Sequence, residues 1–225
     1  MNKVFSVAID GPAGAGKSTM ARRAASELNF VYVDTGAIYR TVAYAVADKN
    51  ILPDETEKIN ALLPTLDVKL AWQDGVQHMY LDGEDVSKKI RLPQVSAMAS
   101  KVSALPSVRA FLLDTQRNVA KANCVIMDGR DIGTVVLPDA DVKIYLSASA
   151  EVRAKRRFLE LQEQGRSDTY EEVLQDMIER DYRDMHREIA PLRQAEDAVL
   201  LDTSALSLEE SIEALLKIIR EKLAL

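Results

Sequence analysis

Eight consecutive residues carry the clearest chemical signal in the chain. Gly11-Pro12-Ala13-Gly14-Ala15-Gly16-Lys17-Ser18 has the spacing G-x-x-x-x-G-K-[ST]. Glycines at these places let the main chain curl so that its N–H groups point inward at an anion. A helix opening near Lys17 adds the favourable end of its dipole. Lys17 is then placed to reach the β and γ phosphates of a nucleoside triphosphate, and the Ser18 hydroxyl to ligate Mg²⁺. The stretch Gly11 to Ser18, with Thr19 after it, is the expected ATP-binding loop. The plain alternative is a glycine-rich turn with no ligand. A preceding apolar run, Val4 to Ile9, and a following helical pattern supply the strand and helix that the motif requires.

Other charged residues fall at places where they could serve the same chemistry. Asp128 closes the apolar run Val125-Ile126-Met127 and suits Mg²⁺ or its water shell, although Asp-Gly is also a common turn pair. Gly129-Arg130-Asp131 follows it, where ligands bind in open α/β sheets. Asp34-Thr35-Gly36-Ala37-Ile38-Tyr39-Arg40 takes the matching place after the second strand. Arg180, Asp184 and Arg187 stand at i, i+4 and i+7 and so share a helical face. A transferring phosphate needs fixed donors, which guanidinium forks provide. That face fits a solvated set of ion pairs equally well, since Asp176 with Arg180 and Glu179 with Arg183 are i, i+4 pairs. Arg153, Arg156 and Arg157 lie in Ala150 to Glu163, and Gln164-Gly165-Arg166-Ser167 turns the chain into the next helix. The pattern fits either a mobile lid that excludes water or a plain helical hairpin with a basic surface.

These residues need a frame. Short β-branched runs at Val4 to Ile9, Phe30 to Val33, Val125 to Met127, Val142 to Leu146 and Ala198 to Leu201 alternate with helical segments. Such alternation predicts an α/β fold with a five-stranded parallel sheet and helices on both faces. Asp34-Thr35-Gly36 reads as a turn and Ala37 to Asp48 as a helix. Capping boxes Thr169/Glu172 and Ser207/Glu210 open two late helices, and Asp54/Glu57 suggests a third. About 90 residues separate Asp34 from Cys124, too many for one crossover. Within them Val68 to Trp72 and Val76 to Leu81 flank Gln73-Asp74-Gly75, a hairpin signal. The expected domains are a core of 1–59 and 123–225, with a lid at about 151–168, and an inserted α+β lobe at 60–122.

Composition narrows the class. The 225 residues hold 29 basic and 35 acidic side chains, a formal charge of -6, which gives no support to a nucleic-acid or membrane-surface role. The single cysteine, Cys124, excludes an intramolecular disulfide and is expected to be a buried small hydrophobe. Two histidines, His78 and His186, with one cysteine make a structural zinc site unattractive. No apolar run approaches a membrane span, so the cytoplasm is the expected compartment.

Taken together, the phosphate loop, Asp34 through Arg40, Asp128-Gly129-Arg130-Asp131-Ile132-Gly133-Thr134-Val135-Val136, Glu179-Arg180-Asp181 through Asp184 and Arg187, and Ala99-Ser100-Lys101-Val102-Ser103 with Pro106 and Val108-Arg109 resemble the bacterial cytidylate kinases. The resemblance runs through nearly the whole chain and includes the large insert. It implies transfer of the ATP γ-phosphoryl group to CMP or dCMP with Mg²⁺. The expected partners are ATP and CMP or dCMP, with no nucleic acid and no membrane, and the expected state is a monomer. The resemblance also implies roles. Ser100, Arg109 and Asp131 would meet the cytosine ring, and Arg40 and Arg130 the acceptor phosphate. Thr35 would lie near the acceptor nucleotide, and Arg180 and Asp184 would meet the sugar hydroxyls. Lys17, Arg130, Arg187 and the lid residues Arg153 and Arg157 would act in catalysis, with Ser18 and Asp128, directly or through water, at the metal. A kinase for another acceptor, a GTP-driven switch and an ATP-binding module without an acceptor are the competing readings. The chain has no Asn-Lys-x-Asp for guanine, and an arginine-rich lid is superfluous in a switch.

Overall fold

The computed structural model describes residues 3–225. The chain runs β1 (Ser6–Asp10), α1 (Lys17–Leu28), β2 (Val31–Asp34), α2 (Thr35–Asp48), α3 (Thr56–Leu62), β3 (Val68–Gln73), β4 (Val76–Leu81), β5 (Glu84–Asp85), α4 (Pro93–Val102), α5 (Pro106–Ala122), β6 (Val125–Gly129), β7 (Val142–Ser147), α6 (Ala150–Glu163), α7 (Tyr170–His186), β8 (Val199–Asp202) and α8 (Leu208–Leu223). Five strands form one sheet in the order β2-β6-β1-β7-β8, every pair parallel.

Side-chain alternation along the strands builds two cores. Val7 and Ile9 of β1 face α1 and α8, together with Ile126, Ile144 and Leu146. Ala8, Val33 and Met127 face the other way, toward α2. The insert packs on that second face. β3, β4 and β5 form an antiparallel sheet, and Met79, Val102, Val108 and Leu112 join the core beneath α2. Side chains also stitch the insert to the exposed edge of β2. The Trp72 indole donates to the Tyr32 carbonyl at 3.0 Å, and Gln77 accepts from the Asp34 N–H at 2.8 Å. α6 and α7 form a hairpin with a small core of its own, Ala154, Leu161, Val173 and Met177.

The sequence expectations differ from this structure in an instructive way. Each core strand runs past its last apolar residue, to Asp10, Asp34, Gly129, Ser147 and Asp202. Hydrophobic patterning stops where the sheet meets the cleft, while the ladder of backbone hydrogen bonds continues. Asp34-Thr35-Gly36 is no separate turn. Thr35 and Gly36 are already helical, and the Asp34 carboxylate caps α2 by accepting from the Ala37 N–H at 2.9 Å. The capping boxes at Thr169 and Ser207 form, whereas α3 opens after Glu55 with no side-chain cap, because the Glu55 carboxylate accepts from Leu52 instead. Cys124 is half-buried beside the start of β6, not in the core. His78 pairs with Asp85, and His186 stacks on Tyr182. Among the described residues no helix is long and apolar enough to cross a membrane.

Candidate functional site

The carboxyl ends of β1, β2 and β6 open into a cleft of about 730 Å³. At one end lies the loop from Gly11 to Lys17. Gly11 must be glycine, because a Cβ there would sit 2.0 Å from the Leu146 carbonyl oxygen. Gly16 takes the left-handed conformation, φ 86°, at the N-cap of α1 and offers no side-chain cap. By contrast α2, α6, α7 and α8 are all capped by Asp, Ser or Thr side chains. The first N–H groups of α1 are therefore left for an anion.

Lys17 is buried, and its Nζ donates to the Pro12 carbonyl at 2.6 Å. Burial and the neighbouring Arg130 push its ammonium well below the usual lysine range, against Asp128 and Asp10, which favour the charge. Ser18 Oγ donates to Asp128 Oδ2 at 2.8 Å, and the Tyr32 hydroxyl donates to Asp128 Oδ1 at 2.9 Å. Burial, and next the Asp34 carboxylate, push the Asp128 carboxyl upward. Among the described residues no cluster of three His, Cys, Asp or Glu could hold a metal alone. The Ser18 and Asp128 oxygens fit a hard cation that takes its other ligands from water and phosphate.

The other end of the cleft is a web of ion pairs. Arg40 bonds Asp34 at 2.9 Å, and Arg130 bonds Asp184 at 2.9 Å. Asp131 is held by Arg109 and, at 3.4 Å, by Arg187. The Arg109 guanidinium lies 5.4 Å from the Tyr39 ring. Thr35 Oγ1 donates to the Asp128 carbonyl at 2.7 Å. Lys17, Arg40, Arg109, Arg130, Arg156, Arg180 and Arg187 line the cleft against five carboxylates, Asp34, Asp128, Asp131, Glu160 and Asp184. A chain of net charge -6 has thus gathered a local surplus of cations. Burial and Arg130 lower the Arg180 guanidinium to about 10, and burial lowers that of Arg187. Arg180 Nε, Arg40 Nε and Ser100 Oγ are buried without a hydrogen-bond partner. Unpartnered polar atoms of this kind, converging on one cavity, mark a place for a ligand.

All of the residues expected at the acceptor nucleotide line this cleft, as do Gly14 to Thr19 and Ala13 of the loop. Arg187 differs from expectation in its backbone. It lies just past α7, at φ -63° and ψ 141°, and its Nε donates to the Ala190 carbonyl at 2.5 Å. Pro191 follows shortly, and a helix rarely continues up to a proline. No Asp176–Arg180 or Glu179–Arg183 ion pair forms among the described residues, and Arg180 lines the cleft.

The arginines of α6, expected in a lid, divide. Arg153 is buried, with Nε on the Ala148 carbonyl at 2.8 Å, Nη1 on the Ala13 carbonyl at 2.9 Å and Nη2 on Asp181 at 2.6 Å. All of its nitrogens are engaged, so it braces the phosphate loop from behind. Arg157 pairs with Glu160 at 3.0 Å, is half exposed, and does not line the cleft. Of these three, Arg156 reaches the cleft, and it also donates to the Thr203 carbonyl at 3.0 Å. Asp10 escaped the sequence reading. It is 5% exposed, and burial raises its carboxyl from 3.8 to about 6, opposed by the Gly133 and Ile132 N–H groups. Its place at the end of an apolar run was the signal that could have found it.

A family model described as cytidylate kinase matches residues 7–221. The cytidylate kinase of Caldicellulosiruptor bescii is 50% identical over 216 residues, covering 96% of each chain. That of Lactobacillus johnsonii is 46% identical over 99% of this chain and 96% of its own length. The crystal structure of shikimate kinase from Bacteroides thetaiotaomicron superposes with a TM-score of 0.51 at 14% identity, over 99% of this chain and 100% of that one, a likeness of fold.

Proposed function

The chain belongs to the cytidylate kinase family, and we propose that it transfers the γ-phosphoryl group of ATP to CMP or dCMP, releasing ADP and CDP or dCDP. The observation that carries this reading is the pair of ends in one cleft. An uncapped glycine loop faces a cluster of arginines, three of whose polar neighbours, Arg40 Nε, Arg180 Nε and Ser100 Oγ, lack partners.

The acceptor phosphate oxygen is already a nucleophile, so no covalent enzyme intermediate is needed. Catalysis is alignment and charge neutralisation. The loop N–H groups and Lys17 hold the donor phosphates. Arg40 and Arg130 hold the acceptor phosphate. Arg187 serves the transferring group, and Arg180 with Asp184 the sugar. Bound at Ser18 and Asp128, Mg²⁺ would neutralise charge on the donor phosphates. Cytosine presents an N4 amino donor, which Asp131 can accept, and acceptors at N3 and O2 for Arg109 or Ser100. Uracil would set its position-4 carbonyl against the Asp131 carboxylate, a repulsive pairing that gives selectivity. Arg153 supports the loop through Ala13, and Arg156 offers a cation from the lid. One chain lines the whole cleft, so a monomer suffices.

The test follows ADP release from ATP and Mg²⁺ with CMP, dCMP, UMP, AMP or no acceptor. Strong dependence on CMP or dCMP is expected. Equal release with every acceptor and with none would leave a nucleotide-binding loop but no cytidylate kinase.

A further inference from the structure

After β6 the chain makes one π-turn, Ile132–Val136, before it heads toward β7. Asp131 stands at its entry, at φ -147° and ψ 28°, and its carbonyl accepts the Val135 and Val136 N–H groups at 2.9 and 3.1 Å. The direction of the Asp131 side chain is therefore set by how this short turn is held.

Two side chains from distant elements hold it. Asp10, the last residue of β1, accepts the Ile132 N–H through Oδ1 and the Gly133 N–H through Oδ2, both at 2.7 Å. Arg117, in α5, donates Nε to the Val136 carbonyl and Nη2 to the Val135 carbonyl, both at 3.0 Å. A carboxylate satisfies the donors that open the turn, and a guanidinium satisfies the acceptors that close it. Neither residue lines the cleft. The same helix that sends Arg117 to the backbone of the turn sends Arg109 to the Asp131 carboxylate.

We propose that Asp10 and Arg117 are positioning residues that clamp this turn from its two ends and so aim Asp131 at the acceptor base. The inference rests on the reading of Asp131 as the residue that meets that base. It assigns a reason for burying Asp10. Its raised carboxyl means that between 3.8 and about 6 the folded chain keeps a proton that the unfolded chain has lost. The stability this group contributes is present below 3.8 and is lost as the pH rises through about 6. Asp10 is ionised at neutral pH at the expense of stability, beside Asp131 and partly offset by Lys17. The position is suited to holding a turn, not to stabilising a core.

The test compares Arg117→Met, Arg117→Lys and Asp10→Asn in the full chain, with ATP and the best monophosphate acceptor of the unaltered protein. Arg117→Met is expected to raise the acceptor KM about 10-fold and to lower the CMP-to-UMP ratio of kcat/KM, with the KM for ATP nearly unchanged. Arg117→Lys keeps a donor to the turn and should recover most of the loss. Asp10→Asn places an amide NH₂ against a backbone N–H and should give the same acceptor-side signature. If Arg117→Met does not fold, the other two variants decide. A fall in kcat with active fraction, leaving acceptor KM and base preference untouched, would make both residues structural and overturn the proposal. If the unaltered protein prefers a monophosphate other than CMP or dCMP, the cytidylate reading fails, and the acceptor KM of that substrate still decides the clamp.

Discussion

The two ends of the cleft offer a phosphate two different kinds of donor. The proposed donor end is a run of eight consecutive residues that leads into the uncapped start of α1 and carries one buried amine, Lys17. The acceptor end takes single side chains from α2, α4, α5, the turn after β6, and α7, and most of its cations already hold a carboxylate. Gly16 offers no side chain to occupy the first N–H groups of α1, so the donor end stands open to an anion as it is. Paired side chains must exchange one partner for another. That exchange costs part of the binding energy and makes the outcome depend on which acceptor offers the replacement bonds.

The largest effect should come from removing the one cationic side chain of the donor loop. Lys17→Met is expected to lower kcat by about 10³-fold, with no fall in the thermal unfolding midpoint, since it removes a buried ammonium held at a cost. Steady-state kinetics with thermal melts checks this. A large drop in the midpoint would mean that the bond to Pro12 shapes the loop, and the contrast between backbone and side-chain binding would weaken.

At the acceptor end the expected effect is on choice more than on rate. Asp131→Ala should lower the preference for CMP over UMP by about 10²-fold and leave the KM for ATP in place. Parallel kcat/KM measurements with the two monophosphates check it. Equal losses for both would sink Asp131 as base reader. Because the substitution strands Arg109 and Arg187 without their shared carboxylate, some loss of stability is expected as well.

This contrast also governs what the sequence could tell. The donor loop was legible at once, since its eight residues are contiguous and their spacing has a mechanical reason. So were α1, the two capping boxes and the hairpin of the insert, which rest on local rules. The strand ends were missed at Asp10 and Asp34, because polar residues at the rim of a sheet break the apolar pattern without breaking the ladder, whereas Asp128 was legible as the close of its strand. Those rim residues border the candidate site. The acceptor web joins residues as far apart as Asp131 and Arg187, or Arg130 and Asp184, and no periodicity links them. Only the family resemblance placed them together. The split among Arg153, Arg156 and Arg157 needed the direction in which α6 faces.

That split gives the finest form of the contrast, within a single helix. Arg153 has both its charge and its hydrogen bonds committed to Asp181, Ala148 and Ala13, in surroundings where water cannot replace them. Arg153→Ala should therefore lower unfolding stability by about 3 kcal/mol and loosen the phosphate loop along with it. Arg157, four residues on, has one exposed partner, Glu160. Arg157→Ala should change stability by less than about 0.5 kcal/mol. Denaturant unfolding of both variants checks the first difference, and kcat checks the second. If Arg157→Ala lowers kcat about 10-fold at unchanged stability, the lid turns that guanidinium inward when substrates bind. If kcat holds, Arg156 is the cation that α6 supplies, and the lid completes the acceptor end with one arginine.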